Sequence, residues 1–331
     1  ARGAINLTSK TSRPLNSLPP KSPNTEETFN NLEKINSPQN WGDKGGLSQN
    51  WGASGAKYTP LIVQHEIITL PSASSLSILR EQVQGRTPAP KKVAVIADPV
   101  FEESDSRFQG DYQTTTDIRN NDVNYIALRQ SNEAFLAKSM SRLYHTRDEA
   151  EAILALVPDN LEQLALDFDA NRQTATDSSL SQYQIVHFAT HGLLNETQPE
   201  LSGLVFSLYD QQGTEKPGFL QLSDIFNLTL SADLVVLSAC ETGIGKEIRG
   251  EGLVSLTRGF MYAGAERVVV SLWAVADGST SEFMQNYYRK ILETGSNPAK
   301  AMRETQLEML QSNQYNAPYF WAPFVFQGEW N

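Results

Sequence analysis

Cysteine is almost missing from this chain. Its 331 residues hold one, Cys240, so no internal disulfide and no multi-cysteine metal site can form. That thiol is either a buried small hydrophobe or a nucleophile. No apolar run approaches the ~18 residues needed to cross a bilayer, which excludes an integral membrane segment of that kind. A basic block is missing too. Lys and Arg number 27 against 38 Asp and Glu, a net charge of −11, so no nucleic acid partner is expected, although the total leaves room for a locally basic groove. The chain opens Ala1-Arg2-Gly3, without Met and without an apolar signal core, and reads as a piece of a longer protein. The cytoplasm is the favoured compartment. What is present is a hydrophobic fraction of 40%, enough for a real core and for one large domain or two small ones.

Residues 1–57 are rich in Asn, Ser, Pro and Gly and poor in aliphatics. They show neither helical nor strand period, as a linker or loosely ordered extension does. Residues 58–331 instead alternate short β-branched runs with helical patterns. Candidate strands are Glu66–Leu70, Lys92–Ala97, Gln184–Thr190, Gly203–Leu208, Asp233–Ala239, Arg267–Trp273 and Pro323–Gln327. Capping boxes are expected at Thr146–Glu149, ahead of a helix over Ala150–Leu156, and at Ser279–Glu282, ahead of Phe283–Leu292. Asn297-Pro298 starts a third helix. The runs Ile185–Ala189 and Leu234–Leu237 are apolar on both faces, as parallel strands covered on both sides are. The expected fold is a three-layer α/β/α sandwich around a mostly parallel central sheet.

Open parallel sheets bind ligands beyond the carboxyl ends of their strands. Two buried-looking strands end in reactive residues there, one at Thr190-His191-Gly192 and the other at Ala239-Cys240-Glu241-Thr242-Gly243. A histidine beside a thiol suffices for nucleophilic catalysis, because the imidazole takes the proton and the thiolate attacks a carbonyl carbon. The plainer reading of Cys240 is a buried strand-end thiol. His187 and His191 lie about 13 Å apart along a strand, and Phe188 stands where a zinc-protease motif needs Glu. Metal binding is therefore not expected, and His187 reads as a structural histidine. Cys240–Glu247 fails as a phosphate loop, and Gly243-Ile244-Gly245 fails as a dinucleotide fingerprint because Ile248 replaces the third glycine. No cofactor is expected.

Several motifs then fall in order: His187-Phe188-Ala189-Thr190-His191-Gly192, Leu201-Ser202-Gly203-Leu204, Leu237–Gly243, Arg249-Gly250-Glu251-Gly252-Leu253, Ser271–Asp277 and Phe320–Gly328. Together they resemble the CHAT domain, a caspase-like domain related to separases, found downstream of tetratricopeptide repeats and abundant in cyanobacteria. The resemblance covers about residues 58–330. It implies a caspase-like fold and a cysteine endopeptidase, with His191 as general base and Cys240 as nucleophile. It also implies an oxyanion hole built from the backbone amides of Gly192 and Cys240. No third residue to orient the histidine is implied.

Asp277 falls in a separase-like Leu-Trp-x-Val-x-Asp segment and is the candidate for a pocket reading Arg or Lys before the cleaved bond. It reads equally as a helix N-terminal carboxylate. The expected partners are protein or peptide substrates, together with upstream tetratricopeptide repeats in a longer protein. The alternative function is a catalytically silent caspase-like signalling or scaffold module.

Overall fold

The computed structural model describes residues 59–70, 72–108, 140–195, 198–238, 240–241, 251–273 and 275–330, with the backbone alone at Cys240, Glu241 and Glu251. The expected extension over residues 1–57 and the glycine-rich turn over 242–250 lie outside these.

Eleven strands are found among the described residues: β1 Ile68–Thr69, β2 Lys91–Pro99, β3 Glu162–Asp167, β4 Tyr183–Ala189, β5 His191–Leu193, β6 Gly203–Val205, β7 Phe219–Gln221, β8 Leu234–Leu237, β9 Cys240–Glu241, β10 Arg267–Ser271 and β11 Phe324–Gly328. The helices are α1 Ala73–Val83, α2 His145–Leu154, α3 Arg172–Ala175, α4 Leu222–Phe226, α5 Glu251–Tyr262, α6 Asp277–Leu292, α7 Pro298–Gln311 and α8 Pro318–Trp321. Seven strands form the main sheet in the order β1-β11-β10-β8-β4-β2-β3. All its pairings are parallel except β10 with β11.

Alternation along the strands assigns the layers. Ala94, Ile96, Val186, Phe188, Val235, Leu237, Val268 and Val270 share one core with Leu222 and Ile225 of α4 and Leu256 and Phe260 of α5. Their neighbours Val93, Val95, Ile185, Leu234, Val236 and Val269 share the other with Ile153 of α2, Phe283 and Met284 of α6, and Met302 of α7. Both faces of one strand are therefore apolar because both are covered. Each of these side chains larger than alanine contributes roughly 1.5–3 kcal/mol of transfer free energy. The result is an α/β/α sandwich with a mostly parallel central sheet.

Two of the expected helix starts are corrected. Helix α2 begins at His145, so Thr146 lies inside it, and its hydroxyl donates to the Leu143 carbonyl at 2.7 Å rather than capping. Helix α6 begins at Asp277, and Ser279 donates to the Ala276 carbonyl at 2.8 Å. The third start is as expected, with Asn297 accepting from the Ala299 amide at 2.9 Å. The run expected as a strand over Gly203–Leu208 shortens to β6 and leaves the main sheet. It joins a second sheet in the order β7-β6-β5-β9. Gly203 is required there, since a Cβ would sit 2.2 Å from the Leu220 carbonyl oxygen.

Candidate active site

The second sheet grows from the carboxyl ends of the first. Strand β4 ends at Ala189, and one residue later β5 opens on His191. Strand β8 ends at Leu237, and β9 opens on Cys240. In the main sheet Ile185 pairs with Leu234 and Phe188 with Leu237. In the second sheet His191 pairs with Cys240 and Gly192 with Glu241. All four pairs share one 49-residue offset, so the two chains cross from sheet to sheet without losing register. Neighbouring strands lie about 4.8 Å apart, and the backbones of His191 and Cys240 therefore stand side by side. Gly192 lies between two strands, opposite Leu204 on β6 and Glu241 on β9.

His191 is 3% exposed, and its ring lies 4.8 Å from that of Phe101. Its Nε2 is 2.8 Å from the carbonyl oxygen of Ser141. A carbonyl only accepts, so this contact selects the tautomer with hydrogen on Nε2. The lone pair is left on Nδ1, which is buried and has no hydrogen-bond partner among the described residues. Burial pushes the His191 pKa below the usual histidine value, against a smaller upward pull from the Ser141 carbonyl. The ring is thus held neutral at pH 7, as a proton acceptor must be.

Sequence reasoning missed Ser141, and for a physical reason. The interaction uses a backbone carbonyl, which every residue type carries, so no motif marks it.

His187, on the β4 stretch before this end, is fully buried and faces a polar side chain on each side. Tyr288 Oη of α6 lies 2.9 Å from its Nδ1. Glu149 Oε1 of α2 lies 2.9 Å from its Nε2, out of line for a hydrogen bond.

Asp277 follows the carboxyl end of β10 and is the first residue of α6. Its Oδ2 accepts the backbone N–H of His145 at 2.8 Å. It therefore satisfies the first turn of α2, the neighbouring helix. Burial raises its pKa to about 6, opposed by the His145 amide and ring and assisted by Glu149 and Asp148. Ser141 and His145 are four positions apart, so their α-carbons are at most about 14 Å apart. One short segment thus touches both His191 and Asp277.

The CHAT domain family matches residues 50–329 of the chain. Tetratricopeptide repeat protein 28 of Mus musculus is 34% identical over 109 residues, 33% of this chain and 4% of that protein. The Homo sapiens protein of the same name is 32% identical over 109 residues with the same coverage. The chain thus spans about 4% of the length of these curated relatives. Among solved structures, the Saccharomyces cerevisiae separase–securin complex aligns over 80% of this chain and 14% of that one, at 13% identity and a TM-score of 0.43. The Arg-specific cysteine proteinase gingipain R aligns over 78% of this chain and 52% of that one, at 10% identity and a TM-score of 0.41. With a family match spanning most of its length and the motif histidine and cysteine paired in register, the chain belongs to the CHAT domain family.

Proposed function

We propose that this domain is a cysteine-type endopeptidase in which His191 and Cys240 form the catalytic pair. The observation that carries the reading is the in-register pairing of Cys240 with a buried histidine whose unprotonated Nδ1 has no other partner among the described residues. In the proposed reaction the Cys240 thiol gives its proton to Nδ1 while sulfur attacks the peptide carbonyl carbon. Because burial disfavours a resting imidazolium, the proton moves as the attack proceeds. The backbone amides of Gly192 and Cys240 receive the negative charge that forms on the carbonyl oxygen, with no reorganisation needed at that moment. The C–N bond then breaks, the imidazolium protonates the departing amine, and a thioester remains. Water attacks the thioester, His191 takes its proton, and the C–S bond breaks to regenerate the thiol and release the acid.

Asp277 is proposed as the carboxylate that reads Arg or Lys before the cleaved bond. In support, it stands at the same carboxyl end of the sheet, and one of its oxygens is committed to the His145 amide. The substrates are proteins or peptides. The repeat-protein relatives support a tetratricopeptide region upstream of this domain in a longer protein.

The test is incubation of the protein with a diverse peptide pool, followed by mass spectrometry of new termini. Cleavage that disappears in Cys240→Ala is expected. A pool left intact by a folded wild type, whose thiol also alkylates no faster than that of His191→Ala, overturns the reading in favour of a silent scaffold.

A further inference from the structure

The segment that fixes His191 is itself held from below. Asp98 follows β2 Ala97 at the carboxyl end of the main sheet, where Ala97 pairs with Ala189 of β4. Its side chain is fully buried, and its backbone adopts φ +50°, a left-handed conformation that Asp tolerates better than most residues. Arg142, the residue after Ser141, grips this carboxylate with two hydrogen bonds, Nε to Oδ1 at 2.8 Å and Nη2 to Oδ2 at 2.5 Å. The same carboxylate meets Arg147 Nε of α2 at 2.9 Å and Arg107 Nη1 at 3.1 Å. The Asp98 amide donates to Thr146 Oγ1 at 3.2 Å, and that hydroxyl donates in turn to the Leu143 carbonyl. The stretch from Ser141 to Thr146 is thus tied at both ends to one buried residue.

We infer that Asp98 and Arg142 are positioning residues for His191: their two-pronged ion pair holds the Ser141 carbonyl where it selects the Nε2–H tautomer. This rests on the peptidase reading only for its catalytic consequence, since the tautomer is measurable without substrate. The physical case is geometric. Ser141 is exposed, so its own side chain does not anchor the carbonyl. Planar guanidinium–carboxylate pairing fixes orientation as well as distance. Loss of that anchor lets the carbonyl drift, and the two imidazole tautomers then compete. A misplacement on the order of 1 Å is enough to cost a catalyst on the order of 100-fold.

The experiment is 15N NMR of the full chain labelled at histidine. The sequence holds four histidines, so His191 is assigned by comparison with His191→Gln. Wild type is expected to show a single Nε2–H tautomer at His191. Arg142→Ala is expected to show a mixture, with kcat lowered by roughly 10- to 100-fold and KM little changed. Arg142→Lys, which keeps the charge but cannot span both oxygens, is expected to fall between them. It also serves if the alanine variant does not fold.

Arg86→Ala is the control. Arg86 pairs with Glu266 at 2.6 Å at the amino end of the sheet, so its loss lowers stability without touching His191. A folded Arg142→Lys or Arg142→Ala that keeps the pure wild-type tautomer overturns the inference. So does an equal tautomer change in Arg86→Ala. If the tautomer responds while no variant, wild type included, cleaves any peptide, the positioning stands and the peptidase reading falls.

Discussion

Two buried histidines, four residues apart on one chain path, have opposite surroundings. His187 lies within the sheet, with Tyr288 on one nitrogen and Glu149 facing the other. His191 lies just past the sheet's end, with Ser141 on one nitrogen and an unpartnered Nδ1 on the other. Both are almost fully buried. Burial therefore does not separate the histidine read as structural from the one proposed as the general base. What separates them is what faces the second nitrogen: the Glu149 carboxylate at 2.9 Å at His187, and no hydrogen-bond or charged partner among the described residues at His191.

The sharpest way to break this comparison is to remove each ring in turn. His191→Ala and Cys240→Ala are each expected to lower the cleavage rate by on the order of a thousandfold or more, with little further loss in the double variant, because residues acting as a unit are not additive. Cys240→Ala should stay within about 1 kcal/mol of wild-type stability, whereas His191→Ala, which empties a buried ring and leaves the Ser141 carbonyl unpaired, should cost on the order of 1–3 kcal/mol. Near-wild-type cleavage by pure Cys240→Ala would remove the thiol from the mechanism. A collapse in the stability of His191→Ala would place His191 with His187.

His187→Ala is expected to behave in the opposite sense. Its loss strands the fully buried Glu149 and leaves Tyr288 Oη unpaired, and removing one partner of such a buried pair costs about 3–5 kcal/mol. Urea denaturation reads this directly. A parallel fall in the yield of soluble protein is expected, while any folded fraction keeps its specific activity per labelled thiol. A fully stable His187→Ala with impaired cleavage would mean that the inner histidine takes part in the chemistry.

The two histidines also show where local reading of the chain stops. Strands β2, β4, β8, β10 and β11 are legible because their apolar runs reflect two covered faces. Strand β3 is not, because the edge strand Glu162–Asp167 offers only three consecutive apolar residues, Leu164-Ala165-Leu166, between Glu162-Gln163 and Asp167, too short a run to stand out from a loop. Strands β5, β7 and β9 are two or three residues long and exist only through their tertiary pairings.

The starts of α2 and α6 escape a local reading for a related reason. Tyr144 and Ala276 precede α2 and α6 without any side-chain cap. The acceptor for the His145 amide is Asp277, 132 residues away. His191 and Cys240 are legible because each follows an apolar run at a strand's carboxyl end, the edge where parallel sheets bind ligands. Asp98 is not, since nothing local marks its left-handed backbone or its arginine partners.

Asp277 sharpens the comparison with the smallest expected effects, because it is the site residue with both a structural and a proposed functional claim. Its pKa is raised to about 6 in the folded state by burial, above the ordinary carboxylate value near 4. A raised carboxyl pKa means that the native state holds its proton more tightly than the unfolded chain does. This group's contribution therefore falls as pH rises from about 4 to about 6 and stays unfavourable above that. Asp277→Asn keeps an oxygen for the His145 amide and removes the charge. Its melting temperature is expected to equal or slightly exceed that of wild type at pH 7, and the gain should vanish near pH 4. Matched reporter peptides differing only before the cleaved bond give the second readout. Wild type should prefer Arg over a neutral residue several-fold at pH 7.5, lose part of that preference as pH falls through about 6, and lose it at all pH values in Asp277→Asn. A carboxylate kept at a cost to stability is expected where it serves binding. If the variant instead loses stability and retains its Arg preference, Asp277 is a helix cap and the pocket must be built elsewhere.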